Sequence, residues 1–131
     1  MKISVRIINE EAVNESVINT DDINCFSYID GYGSFNTVNI EEGSVEIYSK
    51  ASDHRTLIRL CRNENSFIEL YSSEGSLYFE VKIVEFIQNQ SIITIAYSLE
   101  GAQYRIEIKF ETGEIDEYIQ VNEWRSLWNY G

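Results

Sequence analysis

Apolar and polar residues alternate one by one along most of this chain, which is the period of a β-strand with one buried face. The clearest case is residues 103–110, where an apolar face alternates with a mostly charged one. The same alternation predicts strands at 2–8, 76–87 and 91–99, and more weakly at 13–19, 24–29, 35–40, 44–49, 55–61 and 66–72.

Turn chemistry between these segments indicates how the strands connect. Glycine, which tight hairpin turns need, occurs at Asp30-Gly31, Glu42-Gly43, Glu74-Gly75 and Glu100-Gly101. Short strands joined by such turns are typical of an antiparallel sandwich or barrel. No long helical pattern separates the strands, as a parallel α/β sheet would require. We therefore predict one all-β domain over residues 1–131, an antiparallel up-and-down barrel of about eight to ten strands.

The last residues of the chain follow a different pattern. Trp124, Leu127 and Trp128 fall at i, i+3 and i+4, the spacing of one helical face. Asn122 is suited to cap a helix that begins there. We predict a short C-terminal helix whose aromatic face either docks on the barrel or, together with Tyr130, forms a surface for a partner or a second copy.

The charge of the chain restricts its partners. Asp and Glu number 22 against 10 Lys and Arg, giving a formal net charge of −12. Binding to a phosphate backbone needs clustered positive charge, and an anionic lipid surface repels a protein of this sign. We therefore expect neither nucleic acid nor a membrane as a partner. The N-terminus lacks a secretory pattern, and Cys25 and Cys61 are far apart in sequence, which favours a cytoplasmic protein with free thiols.

Catalytic and metal-binding motifs are missing from the sequence. His54 is the only histidine, and its neighbour Asp53 would point to the opposite face of an extended chain. One histidine and two distant cysteines do not supply a zinc ligand set, and the acidic pairs lack the order of a calcium loop. We expect no metal, no cofactor and no enzymatic activity.

Two arginines stand out in this acidic chain. Arg55 and Arg59 share one face of the strand predicted at 55–61. Two guanidinium groups on one face can hold a carboxylate or phosphate headgroup. They can equally pair with acidic residues on neighbouring strands. The headgroup interpretation becomes of interest if that face turns into the barrel.

Three segments carry a family resemblance through their order and spacing. They are CFSYIDGYGSFNTVNIEEGSVEIYS, YSSEGSLYFEVKIVE and IITIAYSLEGAQYRIEIKFE, within residues 24–111. Together they resemble the YwiB-like family of uncharacterised Firmicutes proteins. The resemblance implies a lipocalin-like (calycin-type) barrel in a bacterial cytoplasm and implies no activity. The chain departs from the family at Ser49-Lys50-Ala51, where the family often has Arg-x-Gly, and its tail from Tyr118 has no clear counterpart.

Three functional hypotheses follow. The first is a barrel that binds a small apolar or amphipathic molecule, since small closed barrels can hold one among their inward side chains. Its candidate ligand-binding residues are Phe79, Val81, Ile95, Tyr97, Tyr104, Ile106, Arg55 and Arg59. The alternative is that the inward side chains fill a dry core.

The other two hypotheses place the function elsewhere. An interaction module or homodimer would use the C-terminal aromatic segment, because aromatic residues are enriched at binding hot spots. The residues concerned are Trp124, Leu127, Trp128 and Tyr130. An enzyme of unknown type would need perturbed carboxylates or an activated cysteine.

Overall fold

The computed structural model describes residues 1–111, which form ten β-strands. The strands are β1 Lys2–Asn9, β2 Val13–Asn19, β3 Cys25–Ile29, β4 Phe35–Glu41, β5 Ser44–Lys50, β6 His54–Cys61, β7 Ser66–Ser72, β8 Gly75–Gln88, β9 Ile92–Leu99 and β10 Ala102–Glu111. Each forms at a segment that the alternation predicts, and no strand end differs from its prediction by more than one residue. The predicted C-terminal helix lies outside the described residues.

Pairing between the first and the last described strand joins all ten strands into one sheet, which curls into a barrel. The strand order is β2-β1-β10-β9-β8-β7-β6-β5-β4-β3, with every pair antiparallel. β1 pairs with β10 from Lys2 opposite Glu111 to Asn9 opposite Tyr104. The barrel is therefore nearly closed, with a seam between β2 and β3. The predicted all-β antiparallel barrel is confirmed.

The long strand β8 pairs with two different partners along its length. Gly75–Val81 pairs with β7, and Lys82–Gln88 pairs with β9, with a bulge between Ile83 and Glu85. No strand within residues 1–111 pairs with the second edge of Gly75–Val81. The barrel wall therefore has a notch beside the first half of β8. We call this end, which also carries the β3–β4 and β5–β6 turns, the upper end.

Branched aliphatic side chains fill the middle of the barrel. Those with less than 2% of their surface exposed are Ile3, Val5, Val38, Val45, Ile47, Leu60, Ile93, Ile95, Ile106 and Ile108. β-Branched side chains pack well on a pleated sheet. Burying each such side chain contributes roughly 1.5–3 kcal/mol relative to leaving it in water, so this cluster supplies the main stabilisation of the fold.

Gln88 fastens the lower end of the barrel. Its Nε2 donates a hydrogen bond to the Glu41 carbonyl at 3.1 Å, and its Oε1 accepts one from the Gly43 N–H at 2.8 Å. Gly43 lies in the β4–β5 turn with a φ of 77°, a conformation that favours glycine. Beside this bridge, the Arg62 guanidinium lies 4.9 Å from the centre of the Phe86 ring. The lower end is thus tied across the barrel by side chains.

The packing predicts that truncating an inward aliphatic side chain lowers the free energy of unfolding much more than truncating an outward one. Ile106→Ala empties a fully buried site on β10, so we expect the free energy of unfolding to fall by about 2–5 kcal/mol in urea denaturation. Val17→Ala on the exposed face of β2 is the control, with an expected change below about 0.5 kcal/mol. Similar losses in the two variants would contradict the observed core.

Candidate functional site

One row of inward side chains at the upper end is polar on one half and apolar on the other. Cross-strand pairing from β3 to β8 places in this row Tyr28, Asn36, Ser49, Thr56, Leu70 and Leu77. We call it the mouth row. The next row down is entirely apolar and contains Phe26, Val38, Ile47, Ile58, Ile68 and Phe79. The upper mouth is therefore an amphipathic arc above an apolar layer.

A hydrogen-bond network holds the polar half in place around Asn36, which is only 2% exposed. Asn36 Nδ2 donates to Asp30 Oδ2 at 3.0 Å and to the Ser34 carbonyl at 3.2 Å, and its Oδ1 accepts from the Ser49 hydroxyl. Asp30 Oδ1 also accepts the backbone N–H groups of Tyr32 and Ser34, at 2.9 and 3.0 Å. Both amide donors of Asn36 are used, as a buried polar group requires.

The pKa values of two tyrosines on the inner face of the barrel are strongly raised. Burial raises the pKa of Tyr28 to about 12, and the charge of Asp30 adds to the shift. Burial likewise raises the pKa of Tyr97 to about 12, with a smaller contribution from Tyr104. The Tyr97 and Tyr104 rings stack with their centres 5.3 Å apart. Tyr97 is 3% exposed, and its hydroxyl has no hydrogen-bond partner within residues 1–111.

The apolar half of the mouth row opens to solvent. Leu77 is 60% exposed although it shares the inward face of β8 with Phe79, because no described strand covers this edge of β8. Leu70 and Leu77 line a cavity of about 380 Å³ together with His54, Tyr71 and residues of the β7–β8 turn. That volume is in the range of small-molecule sites.

A second concavity of about 470 Å³ lies at the β5–β6 turn. Lys50, Arg55 and Asp53 are among the residues that line it. His54, Tyr71 and Ser72 line both concavities, so the two adjoin over the upper rim. Asp53 Oδ1 lies 2.8 Å from His54 Nδ1, and this hydrogen bond lowers the pKa of the Asp53 carboxyl.

Comparisons with known proteins give one structural relative. No protein-family model matches the chain, and no curated protein matches it. Among solved structures, the YwiB protein from Bacillus subtilis is similar over 85% of this chain and 89% of that chain, with 14% sequence identity and a TM-score of 0.48. Membership of the YwiB-like family stays a prediction at this level of similarity.

The predicted inward residues do lie on the inner face, but only some of them are accessible. Phe79, Val81 and Tyr104 are partly exposed there. Ile95 and Ile106 have 0% exposed surface. A side chain without water-accessible surface cannot line a cavity of ligand size, so these two belong to the packed core. Tyr97, which is 3% exposed, is intermediate in exposure between the accessible residues and the packed core.

The two predicted arginines lie on the outer face of β6, so they do not line the barrel interior. Arg59 pairs with Glu46 at 3.1 Å and with Glu64 at 3.6 Å. Arg55 is exposed, with its guanidinium 5.8 Å from the centre of the Tyr71 ring. The inward residues of this strand are the alternate ones, Ile58 and Leu60. The predicted partner-binding residues Trp124, Leu127, Trp128 and Tyr130 lie outside the described residues.

The described residues also show how the metal-ligating and thiol side chains are distributed. Residues 1–111 contain no group of three or more His, Cys, Asp or Glu side chains that could hold a metal ion. They also contain no helix long and apolar enough to cross a membrane. Both cysteines are free: Cys25 is exposed, and Cys61 is buried with its Sγ accepting a hydrogen bond from Arg59 Nε at 3.3 Å.

The network around Asn36 predicts a measurable cost for its removal. Asn36→Ala leaves Asp30 and Ser49 without their buried partner, so we expect the free energy of unfolding to fall by about 1–3 kcal/mol. Asn39→Ala on the outer face of the same strand is the matched control, with an expected change within about 0.5 kcal/mol. Equal effects in thermal or urea unfolding would show that the network contributes nothing.

The raised pKa values of Tyr28 and Tyr97 predict a loss of stability in alkali. The unfolded tyrosine loses its proton near pH 10, whereas Tyr28 and Tyr97 keep theirs in the folded state until about pH 12. The stabilisation is therefore complete below pH 10 and is lost as the pH rises through this window, by up to about 1.4 kcal/mol per pH unit for each group. In urea titrations at stepped pH, Tyr97→Phe should reduce this slope. An unchanged slope would contradict the burial of Tyr97.

Proposed function

We propose that this protein is a cytoplasmic, non-enzymatic, lipocalin-like (calycin-type) barrel that binds a small apolar or amphipathic molecule at its upper mouth. The observation that carries the proposal is that Leu77, on the inward face of β8, is exposed to solvent. Together with Leu70 it lines a cavity of about 380 Å³. Apolar surface left in water is costly, and a ligand that covers it gains about 25 cal/mol for each Å² removed from water.

The packed middle of the barrel limits how deep such a ligand sits. Ile95 and Ile106 leave no water-accessible space beside them. The ligand's apolar part therefore extends from Leu77 toward Phe79 and Val81, which follow on the inner face of β8 along the notch. This places the binding site at the rim rather than in a deep central calyx.

The polar half of the mouth row supplies groups that orient a ligand. The Asn36 amide and the Ser49 hydroxyl are already paired with each other. The Tyr28 and Thr56 hydroxyls have no hydrogen-bond partner within residues 1–111 and lie on the same inward row. Small-molecule sites are usually lined by apolar side chains together with a few polar groups.

A protein-interaction module is the second candidate function, and a different surface favours it. Phe35, Tyr48 and Tyr78 lie on the outer face of the β4–β8 sheet, each about half exposed. Aromatic residues are enriched at binding hot spots. A homodimer or partner contact, through this face or through the C-terminal aromatic residues, is the alternative to ligand binding.

The proposal is tested by binding of the neutral apolar dye N-phenyl-1-naphthylamine, followed by its fluorescence. Leu77→Ser should weaken dye affinity about tenfold, since the apolar wall of the cavity is lost. Ile87→Ser is the matched control, because Ile87 is an exposed residue on the other face of the same strand, and it should leave the affinity unchanged.

Native mass spectrometry of the freshly purified protein separates the two candidates. A monomer with a bound small molecule supports the ligand-binding proposal. A dimer without ligand would favour the interaction module. The ligand-binding proposal would be overturned if, in addition, the dye does not bind, or binds equally well to the Leu77→Ser and Ile87→Ser variants.

A further inference from the structure

Two positive charges face each other across neighbouring strands at the upper rim. Lys50 on β5 lies directly opposite Arg55 on β6, on the outer face, and both are exposed. Like charges in directly opposite positions destabilise a sheet. A chain with 22 acidic residues had many ways to place a carboxylate at either position. The pair therefore calls for a physical reason.

Neither cation has a carboxylate partner close by. Within residues 1–111, Lys2, Arg6, Arg59 and Arg105 each lie within 4.0 Å of a carboxylate, whereas Lys50, Arg55, Arg62, Lys82 and Lys109 do not, and of these five only Lys50 and Arg55 lie directly opposite each other on paired strands. The acidic residues nearest to the two cations lie beside other side chains. Asp53 contacts His54 at 2.8 Å, and the neighbouring Glu69 carboxylate acts on Tyr71, whose pKa it raises. The positive charge at this point is thus left available.

An aromatic ring lies beside the Arg55 guanidinium. The Tyr71 ring, 5.8 Å from the guanidinium carbon, supports Arg55 from one side. A guanidinium held in this way keeps its N–H groups free to bind a carboxylate with two parallel hydrogen bonds. Lys50 and Arg55 both line the concavity of about 470 Å³ at the β5–β6 turn.

The cationic concavity adjoins the apolar one. His54, Tyr71 and Ser72 line both, and the second contains Leu70 and Leu77. A ligand that crosses the rim therefore meets two positive charges at one end and an apolar wall at the other. This sequence of environments matches an amphiphile with a negative headgroup.

We propose that Lys50 and Arg55 form the headgroup site of the mouth, and that the ligand is a small amphiphile with one carboxylate whose apolar part enters the cavity at Leu70 and Leu77. The inference rests on the proposed binding function and specifies its ligand class. A single negative charge fits better than a dianionic phosphate, because Asp53 and Glu74 also line these concavities and the whole chain is acidic.

The test compares two ligands of equal chain length, octanoate and 1-octanol, in displacement of N-phenyl-1-naphthylamine at pH 7. Octanoate is an anion at this pH, whereas octanol has no charge. Octanoate should bind the unmodified protein about tenfold more tightly, since a charge-assisted hydrogen bond adds to the same apolar contact. Added salt should weaken octanoate binding and leave octanol binding unchanged.

The Lys50→Gln, Arg55→Gln double variant isolates the headgroup contact. Octanoate affinity should fall about tenfold to the level of octanol, and octanol affinity should stay the same. Arg59→Gln is the matched control, because this arginine lies on the same face but is already paired with Glu46 and Glu64. The double variant should be no less stable than the parent, since it removes a repulsive pair.

The possible results separate this inference from the function on which it rests. Octanol binding with no preference for octanoate, or an octanoate preference that survives the double variant, would overturn the headgroup site and leave the mouth as a binding site. Failure of both ligands to displace the dye at millimolar concentration would overturn both proposals.

Discussion

β8 pairs with β7 along Gly75–Val81 and with β9 along Lys82–Gln88, and the bulge between Ile83 and Glu85 lets one strand serve both partners. A bulge bends its strand and increases the local twist. This change of partner joins the meander of β3–β8 to the group formed by β9, β10, β1 and β2, so the sheet can curl until β2 approaches β3. The same change leaves the first half of β8 with one unpaired edge among the described strands. The opening of the barrel at its upper end follows from this change of partner.

That cause explains where the core ends and the site begins. Where strands surround the interior, Ile95 and Ile106 are sealed from water. Where β8 runs past β9, the inward face continues with Leu77, which water reaches. An unpaired edge of this kind is a hazard for aggregation unless it is short, charged or covered. Here it is short, and a ligand lying against Leu77 would cover part of the apolar surface beside it.

The sequence determines the strands more completely than it determines the site. The alternation around Ile106 and Ile108 sets both the strand and its buried face, because a shift of one residue would expose every apolar side chain. Asn36 could have been assigned to the inner face by the same period, since Val38 and Ile40 follow at two-residue steps. The hydrogen-bond network of Asn36 could not have been predicted in this way. Ser49 is brought to Asn36 by the pairing of β4 with β5, and Asp30 is brought to it by the shape of the β3–β4 turn.

The arginines show the limit of pattern reasoning most clearly. The two-residue spacing correctly places Arg55 and Arg59 on one face of their strand. It does not say which face turns inward, because each face carries an apolar residue: Leu57 on the arginine face and Ile58 on the other. Pairing decides it, because Ile58 lies opposite the buried Ile47. Pairing also separates the two arginines chemically: Arg59 lies opposite Glu46 and is neutralised, whereas Arg55 lies opposite Lys50.

The upper rim therefore combines features that a purely structural surface would avoid. Lys50 and Arg55 repel each other, and Leu77 is left in water a short way across the rim. Each feature costs stability in the free protein, while the lower end is tied by Gln88 and the middle is tightly packed. Such local conflict in an otherwise consistent fold is typical of functional sites, where the energy lost in the free protein is recovered when a ligand binds. An anionic amphiphile would relieve both conflicts at once, which neither a neutral apolar molecule nor a simple anion would do.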